Sequence, residues 1–315
     1  MALLSSRLSS TGRVLEPQHI MVYGPPKSGK TTIVGNLAKQ GFKLLWLDLE
    51  KGVSTLLAGH LSREDLDNIQ YVGIKDTRPE PIAHATIDKL IRGGETFQLC
   101  EEHGRVDCPV CKREKAEFQE VVVPKTWGPE WYDWVMVIDS GTQLSMSITN
   151  TLLKGKDVDY QETLHDFRNQ GNYLNRIMTY LQQAPFHVIM TAHEIEAERE
   201  DAKLRIVPSL GSRNYAITCG KFFDHLVYLD KVNNKHKAYS STDYSNTVLT
   251  GSRLGVRIED MQEASLAELL TGKAAKTAGT APSKVVQAEQ TLAGITSTAG
   301  KQSMAELLAA KKLGG

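Results

Sequence analysis

Apolar residues gather into short runs separated by stretches with helical spacing. Residues 19–23 form one such run and end at Gly24, residues 31–40 have helical composition, and Gly41 stands where a C-cap belongs. Residues 43–48 (KLLWLD), 69–75, 135–140 (VMVIDS) and 187–193 (HVIMTAH) read as further buried strands. Helical stretches alternate with them, notably residues 81–91 and 173–183. Strands alternating with helices predict an α/β fold whose central sheet is mostly parallel and flanked by helices on both faces.

Residues 222–230, 235–241 and 247–250 follow in quick succession, with Asn233 and Asn234 in a turn, and predict antiparallel strands extending the sheet edge. A helix over residues 264–270 would close a single core spanning 1–270. Residues 271–302 are rich in Ala, Thr, Gly, Ser and Lys and have linker composition, and residues 304–313, within a terminal piece 303–315, suit a short amphipathic helix that needs a protein partner to hold it.

Apolar residues make up 41% of the 315 and charged residues 23%, enough to bury a core. Lysine plus arginine and aspartate plus glutamate both count 37, so any basic surface must be local. No apolar run approaches the ~20 residues that span a bilayer, and the apolar start Met1 to Leu4 is short for a signal peptide, which predicts a soluble cytoplasmic protein with no membrane partner.

The chemistry begins at Gly24-Pro25-Pro26-Lys27-Ser28-Gly29-Lys30-Thr31, which fits G-x-x-x-x-G-K-S/T between a predicted strand and a predicted helix. Glycines let backbone N–H groups turn inward around phosphate, and the helix start favours an anion. This is an ATP cradle in which Lys30 reaches the β and γ phosphates, Thr31 ligates magnesium, and Thr32 lies next to it. Magnesium also needs a carboxylate at the end of a buried strand; Asp139, ending VMVID, fits, although a plain strand-end cap would look the same. Ser140 orients a water or caps the next helix with equal ease. Hydrolysis needs a carboxylate beside the cradle, and LDLE offers Asp48 and Glu50. Glu50, past the strand end, is the better placed to enter the cleft, with an N-cap for a helix near Val53 as the other reading.

GPPKSGKTT, then WLDLEKG, WVMVIDS and VIMTAHE in that order resemble the RecA-type recombinase ATPases over residues 18–260, and within them the compact phage single-strand-annealing ATPases of the Sak group. The resemblance implies a RecA-like core with the catalytic glutamate on the strand after the P-loop helix, where Glu50 lies. It also implies that His193 senses the γ phosphate; residue chemistry alone says only that a polar group ending a parallel strand faces the ligand crevice, and a lone histidine is more often structural. Residues 194–216 sit where recombinases bind DNA, with too many polar and charged residues for a buried element. Lys203, Arg205, Arg213 and Tyr215 could grip phosphates and stack on bases there, although five acidic residues make a solvated hairpin the rival. A second loop, residues 154–169, carries Lys154, Lys156, Tyr160 and Arg168, or simply connects two helices. RecA-like sites are completed by a cation from a neighbouring subunit; Lys231, Lys235, Lys237 and Arg253 lie in the right stretch, and Arg253 is favoured.

Cys100-x-x-His103 and Cys108-x-x-Cys111 are two chelating pairs flanked by residues 97–99 and 118–123, which could pair as strands. Three thiolates and one imidazole suit a closed, structural Zn2+ site, a small zinc ribbon inserted over residues 94–134. Trp127, Trp131 and Trp134 follow it and either pack it onto the core or stack on bases. Together these features predict an ATP- and Mg2+-dependent recombinase or annealing protein that binds single-stranded DNA and assembles with itself head to tail. A replicative helicase or loader, and a nucleotide- and zinc-dependent assembly module with little hydrolysis, are the alternatives.

Overall fold

The structure, a computed structural model, describes residues 16–157, 159–198, 204–233, 235–239, 248–253 and 265–271. Lys203, most of the expected linker (from residue 272) and the expected terminal helix lie outside the described residues.

Strands β1 (His19–Gly24), β2 (Lys43–Asp48), β3 (Ile69–Gly73), β6 (Trp134–Asp139), β7 (His187–Glu198) and β9 (His225–Val232) make the parallel body of one sheet, ordered β9-β1-β7-β6-β2-β3. The strand β10 (Lys235–Tyr239) adds antiparallel at the β9 edge, β11 (Gly251–Ser252) also pairs with β9, and β8 (Leu204–Pro208) pairs with the far half of β7. A separate two-stranded sheet joins β4 (Thr96–Cys100) to β5 (Phe118–Val122).

Alternation along the strands feeds two cores. In β1, Ile20 and Val22 face α1 (Lys30–Gly35) and α9 (Ser265–Thr271), while Met21 and Tyr23 face α4 (Ala83–Leu90), α6 (Gly141–Leu152) and α7 (Leu164–Gln182). The long helix α7 presents Leu174, Ile177, Met178 and Leu181 to its core, the i, i+3, i+4, i+7 stripe of an amphipathic helix. Three short helices, α2 (Val53–Leu56), α3 (Arg63–Leu66) and α5 (Pro109–Glu114), fill connections, and α8 (Arg213–Thr218) follows β8.

The α/β architecture, a mostly parallel sheet flanked by helices, is the one expected, with four local corrections. The helix expected over residues 31–40 stops at Gly35, with a 3-10 turn at Ala38–Gln40 before Gly41. The first of the C-terminal strands, β9, runs parallel to β1, and β10 and β11 are the strands that pair antiparallel to it, because residues 209–222 provide a crossover long enough to return to the other end of the sheet. Residues 164–169, expected in a loop, already belong to α7, whose Thr163 and Asp166 form a reciprocal capping box. Within residues 194–216, of which 199–203 lie outside the described residues, Ala197, Val207 and Ala216 are buried and pack together, so small residues among the charges join the β7–β8 pair to α8.

At the amino ends of β1, β7 and β9, burial holds two histidines neutral. His187 Nδ1 accepts the Gln18 N–H at 2.9 Å, and its pKa is pushed down from 6.5 to about 3. His225 bonds the Gln18 side chain at 3.0 Å and is pushed down from 6.5 to about 4. Unfolding releases both into water, so below pH 6.5 the unfolded chain binds protons that the folded one refuses, and stability is lost as pH falls. Buried Asp139 works in the opposite sense between 3.8 and about 6, one group against two. The thermal midpoint is expected to drop between pH 7 and pH 5, and His187→Gln to shrink that drop; a midpoint flat in pH would refute this account.

Candidate nucleotide and metal sites

Each strand that reaches the phosphate pocket ends at its carboxyl edge with a polar residue or a glycine, and the registers set these level. Gly24 is opposite His193, and Asp48 is opposite Asp139. Gly24 has φ 154°, and a Cβ there would lie 2.0 Å from the Leu229 carbonyl oxygen, so only glycine lets the loop leave β1 against β9. Gly29, at φ 95°, turns the chain into α1. Lys30 Nζ donates to the Gly24 and Pro25 carbonyls at 3.0 and 2.9 Å, folded along the rim of its own loop. Burial lowers its pKa, opposed by Glu50 and Asp139.

Thr31 Oγ1 donates to Asp139 Oδ2 at 3.2 Å, which joins the two groups expected to hold magnesium. Thr191 donates to the other oxygen of Asp139. Asp139 is 2% exposed, and burial, with the charges of Glu50 and Asp48, raises its carboxyl to about 6 against the pull of Thr191 and Thr31. A carboxylate this reluctant to ionise alone is relieved by a bound cation, so these residues fit the ion.

Glu50 leaves the end of β2 and turns over the pocket. Its Oε1 accepts from Ser140 and lies 3.3 Å from His193 Nε2. Burial raises its pKa, but hydrogen bonds from His193 and Ser140 outweigh that and hold the carboxylate below its usual range. Asp48, the other carboxylate of LDLE, is 1% exposed and accepts the Glu50 N–H at 2.8 Å, the Val53 N–H at 3.2 Å and the Tyr71 hydroxyl at 2.7 Å. It holds the turn, and Glu50 faces the cavity. That cavity, of about 410 Å3, brings together Pro26, Lys27, Gly29, Lys30, Thr31, Thr32, Glu50, Asp139 and His193, with Thr55 and His236 on its wall.

His236 was not legible from sequence. It stands on β10, and its Nδ1 donates to the Ser28 carbonyl at 2.8 Å; nothing local in an edge strand of alternating lysines marks it. Ser28 itself is buried. Arg253 lies away from this chain's own pocket: it pairs with Asp224 at 2.7 Å beside the amino ends of β1 and β9, opposite the phosphate loop. Tyr215, expected to stack on bases, instead packs its ring against Gly211 and the α6–α7 core, because the start of α8 turns it inward. Arg213 is exposed, and Lys156 lies over the Tyr160 ring at 4.8 Å. The tryptophans pack: Trp127 meets His187 edge-on at 4.8 Å, and Trp134 meets Phe186 at 5.2 Å.

At the insertion, Cys100 ends β4, Pro109 starts α5, and Cys108 and Cys111 flank that start, so two turns bring the ligand atoms of Cys100, His103, Cys108 and Cys111 within 4.8 Å of one another. His103 Nδ1 lies 3.2 Å from the Cys111 sulfur and 3.8 Å from those of Cys100 and Cys108. A tetrahedron with bonds of about 2.3 Å has edges of roughly 3.8 Å, so this donor set can hold a metal ion. All three sulfurs belong to buried residues.

A family model described as AAA domain matches residues 16–254. The chain belongs to that family. No curated protein matches it in sequence. Among solved structures, this AAA-domain protein is similar to a KaiC-like protein from the hyperthermophilic archaeon Pyrococcus horikoshii OT3, at 14% identity and a TM-score of 0.34, over 71% of this chain and 77% of that one. Among the described residues no helix is long and apolar enough to cross a membrane. The AAA-domain chain is thus a P-loop NTPase by family and by site, with nucleotide and magnesium as the ligands its residues suit.

Because protons compete with magnesium for Asp139, the magnesium-dependent part of ATP affinity is expected to weaken as pH falls through about 6. Calorimetric titration of ATP with and without magnesium between pH 5 and pH 8 checks this, and Asp139→Asn should remove the magnesium dependence throughout.

Proposed function

We propose that this protein hydrolyses ATP with magnesium and spends the cycle on single-stranded DNA, as a recombinase or annealing protein assembled head to tail. The observation that carries the reading is the contact of Glu50 with His193 across the pocket, because β7 continues from His193 without a break into the β7–β8 hairpin. Lys30 binds the β and γ phosphates, and Thr31 with Asp139 holds the metal. Magnesium, when bound there, neutralises charge on the phosphoryl oxygens. Glu50, kept ionised, orients and deprotonates the attacking water. His193 lies where a γ phosphate would compete for its Nε2 proton, so exchanging that partner for Glu50 moves the start of the hairpin. Thr142 and Ser209 hold its backbone, at 3.0 and 2.7 Å. The exposed Arg213 and the hairpin's Arg205 supply phosphate contacts for a single strand, and the sequence resemblance supports that choice of partner. A cation for each site comes from the neighbouring subunit, with Arg253 as its source. The three-cysteine, one-histidine cluster holds zinc as a structural ion.

Glu50→Gln should keep ATP binding and lower turnover by about 10^2- to 10^4-fold. Single-stranded DNA should raise wild-type turnover in a salt-sensitive way, and Arg205→Ala with Arg213→Ala should blunt that rise. Turnover indifferent to DNA would remove the DNA part of the reading, and strand displacement would move it to a helicase or loader. Metal analysis of the purified chain should find about one zinc per chain, lost in Cys108→Ser.

A further inference from the structure

The turn that carries Glu50 is held from outside the phosphate pocket. Asp48 accepts both the Glu50 and the Val53 N–H, and its third donor is the Tyr71 hydroxyl at 2.7 Å. Tyr71 reaches it through a local arrangement in β3. The register sets Asp48 opposite Gly73, and Tyr71 lies two residues earlier on the same face. A Cβ on Gly73 would lie 3.3 Å from the Tyr71 hydroxyl and 3.4 Å from its ring edge, so glycine leaves the ring room to lie along the strand toward Asp48. Burial and the adjacent Asp48 carboxylate raise the pKa of Tyr71, which keeps it a donor.

The strand β3 is in turn fixed by the metal-binding insertion. The Lys75 N–H donates to the His103 carbonyl at 3.0 Å, and a Cβ on Gly104 would lie 2.4 Å from the Gly73 carbonyl oxygen. Gln70 donates to the Glu120 carbonyl at 2.7 Å, and Gln119 to the Tyr71 carbonyl at 3.5 Å. Residues on both sides of Tyr71, and Tyr71 itself, are therefore tied to the loop that carries His103 or to β5.

We infer that Tyr71 is a positioning residue for Glu50, and that the insertion closed by Cys100, His103, Cys108 and Cys111 sets that position by fixing β3. The inference rests on Glu50 activating the water, but its structural half does not. Without the Tyr71 hydroxyl, Asp48 keeps two donors and gains freedom to rotate, so the turn bearing Glu50 loosens while the phosphate loop on β1 stays as it was. Binding of nucleotide then survives and the hydrolytic step suffers.

Hydrogen exchange and steady-state turnover of the full-length zinc-loaded chain test this together. In Tyr71→Phe, the amides of Glu50 and Val53 should exchange about tenfold faster, turnover should fall about tenfold, and ATP affinity should stay within about twofold. Gly73→Ala should act in the same direction through the displaced ring. Stripping the metal with a chelator should speed exchange at residues 50–53 and leave the β1 amides protected. If stripping exposes the whole chain, the double variant Gln70→Ala with Gln119→Ala, which leaves the cluster intact, tests the bracing by the insertion in its place. Unchanged exchange at Glu50 and Val53 in Tyr71→Phe overturns the inference, as does unchanged exchange in both the stripped protein and the double variant. Faster exchange at those amides with no measurable turnover in the wild type would uphold the bracing and refute the ATPase reading instead.

Discussion

Parallel pairing of β2 with β6 sets Asp48 level with Asp139, and both carboxylates are almost fully buried. Two buried acids side by side repel each other and lack water, so the fold tolerates them only because each is given a different set of donors. Asp139 receives the Thr31 and Thr191 hydroxyls; Asp48 receives two backbone N–H groups and a phenol. That division separates their work. The acid with only side-chain donors is left wanting a cation, while the acid held by backbone is committed to shaping the next turn.

Glu50 completes a graded set of acids around one lysine. Asp139 sits high because it is buried, and Glu50 sits low because its partners outweigh its burial. Under the proposed function, gathering a metal and deprotonating a water need both behaviours at once, one group whose charge a cation compensates and one whose charge is already secure. Lys30, its charge opposed by burial and favoured by both acids, shares their cavity and is folded onto loop carbonyls that a phosphate could replace.

Much of this was readable in the residues, for physical reasons. A phosphate loop must have glycine at fixed spacing, and buried parallel strands must be apolar, so Gly24, Lys30, Thr31, Asp139 and Glu50 could be located from pattern alone; the last four line one cavity with His193, and Gly24 stands opposite His193 in register. The paired chelating residues were equally visible, because short spacing forces proximity. What escaped was set by tertiary register. His236 reaches Ser28 across 208 positions, and nothing near it in sequence marks the contact. Tyr71 read as one more apolar strand residue. The segment after His193 read as too polar to be buried because Ala197, Val207 and Ala216 were hidden among charges, and Tyr215 read as available because an aromatic in a polar stretch gives no sign of which way a short helix will turn it.

The closeness of Gly24 to the Leu229 carbonyl has a consequence for protein engineering. The width of the phosphate loop is dictated by the strand beside it as much as by its own glycines, since β9 occupies the space any side chain would need. Transplanting the eight-residue loop with β1 and α1 alone into another scaffold would carry the glycines but not the neighbour that makes the first of them obligatory, so the smallest portable unit is three elements, of which the third arrives some two hundred residues later in the chain.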